Sequence, residues 1–414
     1  MADSARVTID EVLAHFDQLE DPRSTVNRLH SLSSVIVIAI MAILSGAAGP
    51  TAIADWAKIK ADFLTEWLSL PNGVPRKDVF RRVLMALNPE AFQACFSEWL
   101  TALRETAAKR TENERPTLAV DGKTLRRSHD QSRNLGALHS VSVWASEYGL
   151  TLAQVATEEK SNEITAIPKA LALVDLKGAI VTIDAIGTQT AIAQQIIDAK
   201  GDYVLALKRN QETLYAAATE YLDEQTRNDF AECNSRRHVT KKQAHGRMET
   251  RTYIQMPVPQ ELAGAERWAG LRTLGLAVLH CIRDGKETSE VRYFISSLTM
   301  GVREFARAVR SHWGIENSCH WCLDVTYRED ESRIRETQLR ENFAWINRLT
   351  LSLLKRKRPT QPYRRRRGFR CPMPDFSRNE SRARIGGVCG SLAAPDGLGV
   401  HAECVRHGVL SEPT

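Results

Sequence analysis

Apolar residues in the first 110 positions recur at spacings of three and four, as in Ile53, Trp56 and Ala57, with Phe63, Trp67 and Leu68 after them. That is the period of helices with one buried face. The stretch LPNGVPRKD (70–78) reads as a turn, with Asp78 as the cap of a helix starting at Val79. Ser31–Ala54 has no charged residue and is long enough to raise the question of a membrane helix. Its strongly apolar part is only Val35–Leu44, and serines, glycines and Pro50 interrupt the rest, so a buried helix and its turn are expected.

From Pro116 the pattern changes to short apolar or alternating runs. Thr117–Val120, 139–146 and 149–156 read as strands, the last two joined by a turn at Glu147–Gly149. A helix over Ile164–Leu173 follows, with Ser161 or Asn162 as its cap. Then come a buried strand at 179–184, a helix over Gln189–Ala199 and a fifth strand at 203–208. Residues 209–301 read as a β-rich insertion. It contains the polar basic stretch 236–253 and strand-like runs at 272–282 and 290–298. Val302–Tyr327 is the next long helical stretch. One further helix after five strands in this order would complete a ribonuclease H-like α/β core.

Two strands finish on a carboxylate, Asp121 and Asp184, and functional groups of parallel α/β sheets gather at the carboxyl ends of strands. Asp121 followed by Gly122 is also an ordinary turn pair, and that reading stays open. In 302–327, His312, Glu316, His320 and Asp324 fall at successive i, i+4 positions, either a metal-binding stripe or a solvated face. Glu316 is a candidate third acid, and spacing alone does not separate it from Asp324 or Glu329.

Composition adds three points. Apolar content of 43% and charged content of 26% are those of an ordinary globular chain. The eight cysteines show no disulfide framework, and Met1–Leu29 is polar and mixed in charge, so a cytoplasmic protein is expected. Cys319 and Cys322 have the C-x2-C spacing of zinc sites but lack a matching second pair. The net charge of +6 sits at the carboxyl end. Residues 355–414 hold 13 of 56 basic and 5 of 50 acidic residues, so the body of the chain is close to neutral. That arginine-rich end, KRKRPTQPYRRRRGFRCP and beyond, reads either as a basic tail able to hold DNA phosphates or as the product of a frameshift near residue 355.

Several blocks carry a resemblance: VDGKTLRRS (120–128), KSNEITAIP (160–168), VTIDAIGTQTAIAQQI (181–196), DYVLALKRNQ (202–211), HGRMETR (245–251) and RSHWGIENSCHWCLDVTYREDESRIR (310–335). DPRS, LSGAAG and NGVP in the amino-terminal part fit as well. In this order the sequence resembles insertion-sequence transposases of the H-repeat-associated (ISAs-one type) group, within the DDE superfamily, over roughly residues 10–354. The resemblance implies a DNA transposase that cleaves and joins the ends of its own element. Asp121, Asp184 and Glu316 would be its catalytic and metal-binding acids, holding Mg²⁺ or Mn²⁺ as two ions.

The wider superfamily's Tyr-x2-Arg-x3-Glu-x6-Lys signature is not kept. Aligned on Glu316, this chain has Val309, His312 and Leu323 there, so the third acid rests on HWGIEN. Lys123, Arg126, Lys208, His245, Arg247 and Arg251 are candidate contacts to DNA phosphates. The expected partner is double-stranded DNA, with no membrane and with a homodimer or larger assembly on the DNA. The expected organisation is a helical domain at 1–110, a core at 111–208 and 302–354, the insertion at 209–301 and a tail at 355–414. A remnant that only binds DNA and a metal-dependent nuclease that cuts without joining are the competing expectations.

Overall fold

The structure is a computed structural model, and it describes residues 9–17, 19–26, 28–96, 115–157, 163–244 and 246–356. The expected caps Ser161 and Asn162, His245 and nearly all of the basic tail lie outside the described residues. In chain order the helices are α1 (Ile9–Phe16), α2 (Leu32–Leu44), α3 (Pro50–Ile59), α4 (Ala61–Trp67), α5 (Lys77–Ala86), α6 (89–96), α7 (Glu163–Ala172), α8 (Thr190–Asp198), α9 (Glu212–Arg227), α10 (Val302–Gly314), α11 (Trp321–Val325) and α12 (Thr337–Arg356). The strands are β1 (Thr117–Leu125), β2 (Leu138–Ala145), β3 (Leu150–Thr157), β4 (Ile180–Ile183), β5 (Asp202–Leu207), β6 (Arg236–Ala244), β7 (Arg247–Pro257), β8 (Thr273–Arg283) and β9 (Lys286–Ser296).

The chain divides into two compact units. The first takes in the described residues up to 96, with 125–138 and 319–356; the second takes in 115–124 and 139–318. The boundary at 318/319 therefore cuts through the 302–354 segment.

In the first unit α2 is buried along almost its whole length, which accounts for its uninterrupted apolar sequence. Ser31 caps it, its Oγ accepting from the Ser34 amide at 3.2 Å. Among the described residues no helix is long and apolar enough to cross a membrane. α5 starts at Lys77, with Arg76 at the cap position, so Asp78 lies inside the first turn instead of capping it. Its carboxylate still sits at the end of the helix dipole where negative charge is favoured. α12 carries buried polar side chains to specific partners. Asn342 donates to the carbonyls of Leu84 and Leu87, acceptors that the end of α5 leaves without helical partners. Arg348 pairs with Glu329 at 3.0 Å, both essentially inaccessible to solvent.

The second unit is built on one sheet in the order β3-β2-β1-β4-β5-β9-β8-β7-β6. Its first five strands have the ribonuclease H-like arrangement: β1, β4 and β5 run parallel, and β2 and β3 form an antiparallel hairpin. The insertion is α9 followed by four antiparallel strands, and β9 pairs with β5 to extend the same sheet. The basic stretch 236–253, which shows no clear strand pattern, forms β6 and much of β7.

α10 lies on this sheet through Phe305, Ala306, Ala308 and Val309, packed with Val204, Tyr253 and Phe294. Gly275 on β8 allows the approach, because a Cβ there would stand 2.2 Å from the Phe305 ring. Burying one Phe in this way contributes about 1.5–3 kcal/mol.

Candidate active site

The β1–β4 ladder fixes the relation of the two aspartates. Val120 stands opposite Ile183, so Asp121 and Asp184 are the next residues on neighbouring parallel strands. Asp121 is not at a strand end, since β1 runs on to Leu125; β4 ends first, and Asp184 lies in the turn beyond it. That turn is organised by the carboxylate itself, which accepts from the amides of Ile186 at 3.0 Å and Gly187 at 3.4 Å. Burial pushes the Asp184 carboxyl above the ordinary aspartate value. The negative charges of Asp121 and Glu163 push it the same way, against the Gly187 amide and His312.

His312 ties α10 to this edge, its Nδ1 lying 3.1 Å from Thr182 Oγ1 on β4. Beyond α10 the chain runs through a π-helical turn, Ile315–His320, before α11. The expected single helix over 302–327 is therefore interrupted, and its four-residue stripe does not continue as one line. Glu316 is the second residue of the π turn and is exposed. Of the three acids that spacing left open, Glu316 alone shares a compact unit with Asp121 and Asp184. Glu329 serves the packing of the first unit instead, where its buried carboxylate accepts from Arg348 and Asn347.

The described basic candidates differ in burial and in their partners. Lys123 is buried at 6% exposure, whereas Lys208 is exposed just past the carboxyl end of β5. Arg126 is exposed and faces Asp330 in the first unit. Arg247 and Arg251 lie on β7, and both pair with the buried Glu249 between them. Two strands away, on β9, Arg292 stacks over Trp313 of α10 at 4.1 Å.

Two residues next to the aspartates carry no mark in the sequence. Glu163 and His139 are 3% and 1% exposed, and Glu163 Oε2 lies 3.2 Å from His139 Nε2. A Glu opening an amphipathic helix is ordinarily there for the helix dipole, so nothing local singles it out.

The donor chemistry fits a hard divalent cation. Asp121 and Asp184 supply the oxygen donors such an ion takes, and the charges of Asp121 and Glu163 act on Asp184 against that of His312. The acids do not form a finished cage: among the described residues no three His, Cys, Asp or Glu are gathered closely enough to enclose an ion. The same observation leaves the Cys319–Cys322 pair without a zinc set.

Residues 112–353 match the model of the transposase DDE domain, and residues 13–100 match that of the domain associated with it. The H repeat-associated putative transposase YhhI of Escherichia coli K12 is 36% identical over 84% of this chain and 90% of its own length. The putative transposase YncI of E. coli O157:H7 is 38% identical over 84% of this chain and 88% of its own. A shorter relative, the inactive transposase YbfQ of E. coli K12, is 30% identical over 76 residues, 18% of this chain.

Proposed function

Because the chain belongs to the DDE transposase family, we propose that Asp121, Asp184 and Glu316 are the acids of its catalytic site, acting on the ends of a mobile element. Enzymes of this family cut and join DNA and use divalent metal ions. The observation that supports the reading is the parallel register that sets Asp121 beside Asp184, with Glu316 following α10 in the same unit.

Mg²⁺ or Mn²⁺, bound as two ions, would activate the attacking hydroxyl and stabilise the departing oxygen in an in-line displacement. The chain's own part is to hold the acids. The amides of Ile186 and Gly187 fix the Asp184 carboxylate, and the Thr182–His312 contact ties the end of α10, which leads into Glu316, to β4. No side chain forms a covalent intermediate in this reading.

Lys208, just past the carboxyl end of β5, would meet DNA phosphates. Arg247 and Arg251 would do so along β7, with Glu249 holding their guanidinium groups before DNA arrives. Lys123 and Arg126 follow Asp121 along the chain, and His245 would complete the basic set. Two element ends must be held together for joining, which calls for a dimer or larger assembly.

The test is cleavage and joining of labelled element-end DNA with Mg²⁺ or Mn²⁺, beside Asp121→Asn and Asp184→Asn. Joined products with the native chain and none with either variant are expected. Undiminished joining by a variant would remove that residue from the site. Products that are cut but never joined would make the protein a metal-dependent nuclease.

A further inference from the structure

The four strands of the insertion pair without a break in register, so residues two apart on a strand, and residues opposite each other on neighbours, share one side of the sheet. Gly275, Tyr253 and Phe294 lie on the α10 side, against Phe305. Counted outward from them, the same side carries Lys242 on β6, Arg247 and Arg251 on β7, Arg283 on β8, and Lys286 and Arg292 on β9. Glu249 and Glu290 are the acids among them. The other side of the same rows is different. Its charged residues are Lys241 and Glu287, and it exposes Val239, Met248 and Val291.

Positive charge on the α10 side is concentrated beyond what the fold needs. Arg247 stands directly opposite Arg283, and Arg283 opposite Lys286, and all three are exposed. Like charges facing each other across a ladder are destabilising, so neutral side chains would serve the sheet better. Asp284, in the turn between β8 and β9, stands 3.7 Å from Arg283 and relieves only that end. Arg310, an exposed residue of α10, brings a further cation to the same place. Partial withdrawal from water and the charges of Arg251 and Arg247 lower its pKa from the ordinary arginine value, against Tyr253 and Glu249. At the inner end Arg292 closes the patch by stacking over Trp313 at 4.1 Å.

We propose that the α10 side of the β6–β9 sheet is the surface on which the chain holds duplex DNA, its phosphates taken by Lys242, Arg283, Lys286 and Arg310 together with Arg247 and Arg251. The proposal rests on the reading of the chain as an enzyme acting on element-end DNA. From the row of Arg247 to that of Arg292 is about 20 Å. Over that length a duplex carries about a dozen phosphate charges, enough to meet every one of these bases. The side facing away from α10, near neutral and partly apolar, stays off the DNA.

The experiment is fluorescence anisotropy of a labelled element-end duplex with the full chain, over salt from about 50 to 200 mM. Arg283→Gln combined with Lys286→Gln removes two bases that no part of the acid site uses. The double variant should bind more weakly and lower the slope of log affinity against log salt by about two. Its melting temperature should stay at or above that of the native chain, because a repulsion is removed. Lys241→Gln, one charge on the opposite side, should keep the native affinity and slope.

A native slope in the double variant, or an equal loss in Lys241→Gln, would overturn the proposal. Joining of element ends that still depends on Asp184 would then leave the catalytic reading standing. A native chain that neither binds nor joins the duplex would remove both. If the double variant does not fold, Arg310→Gln carries the test: a slope lower by about one supports the surface, and an unchanged slope overturns it.

Discussion

Gly122→Ala is the sharpest perturbation of this architecture, because it adds one carbon and no charge. The backbone at Gly122 is not in the left-handed region, so alanine brings no conformational strain of its own. The cost is steric. The new methyl would meet His139 Nε2 at 2.5 Å and the Glu163 carboxylate at 2.7 and 2.8 Å, where ordinary van der Waals contact begins near 3.4 Å. Both partners must retreat, by nearly an ångström for the histidine, and neither has room, being 1% and 3% exposed.

Overpacking of this kind costs about 1–3 kcal/mol. For a unit of this size that is a fall in melting temperature of about 2–4 °C per kcal/mol. The assay is thermal and urea unfolding followed by circular dichroism. Gly314→Ala serves as the comparison, because a Cβ there meets nothing closer than 3.5 Å. His139→Ala in the Gly122→Ala background should relieve the clash, giving a double variant more stable than the sum of the single losses. Native stability in Gly122→Ala would refute the reasoning, since it would mean that Glu163 and His139 do not close on β1.

Three further outcomes are expected. Glu329→Gln should destabilise the first unit by about 3–5 kcal/mol, because it leaves Arg348 buried without its counter-charge; a melting curve like that of the native chain would contradict this. Asp184→Asn should raise the stability of the metal-free protein at neutral pH. The folded state holds the Asp184 proton more tightly than the unfolded chain does, so the ionised group costs stability above its raised value. That advantage should shrink as pH falls through the raised value and vanish below the ordinary aspartate value, and an advantage independent of pH would argue against it. Arg251→Ala should weaken DNA binding and lower the slope of log affinity against log salt by about one; an unchanged slope would take Arg251 off the DNA.

Much of the second unit is legible in the sequence, because its information is local. Five strands and the helices between them follow from apolar runs and their periods, and the two aspartates stand where those runs give way to polar sequence. The blocks around them carry the family. The insertion is legible only as β-rich: 236–253 is too polar for a strand pattern, and β6 forms because β7 supplies its hydrogen bonds along the whole length. The π turn at Ile315–His320 is not legible because 302–327 has too few apolar residues beyond Val309 for a one-residue slip of the period to stand out.

By itself, then, the sequence determined the order of strands and helices in the core, the helical amino-terminal part and the family, and it marked the two aspartates as candidates. These depend on side chains a few positions apart. Tertiary structure alone decided that β9 joins β5 into one sheet, that Glu329 is spent on Arg348, and that Gly122 lets Glu163 and His139 close in beside Asp121. Each of those is a contact between residues well separated along the chain, set by register and packing, and no local pattern of polarity records it.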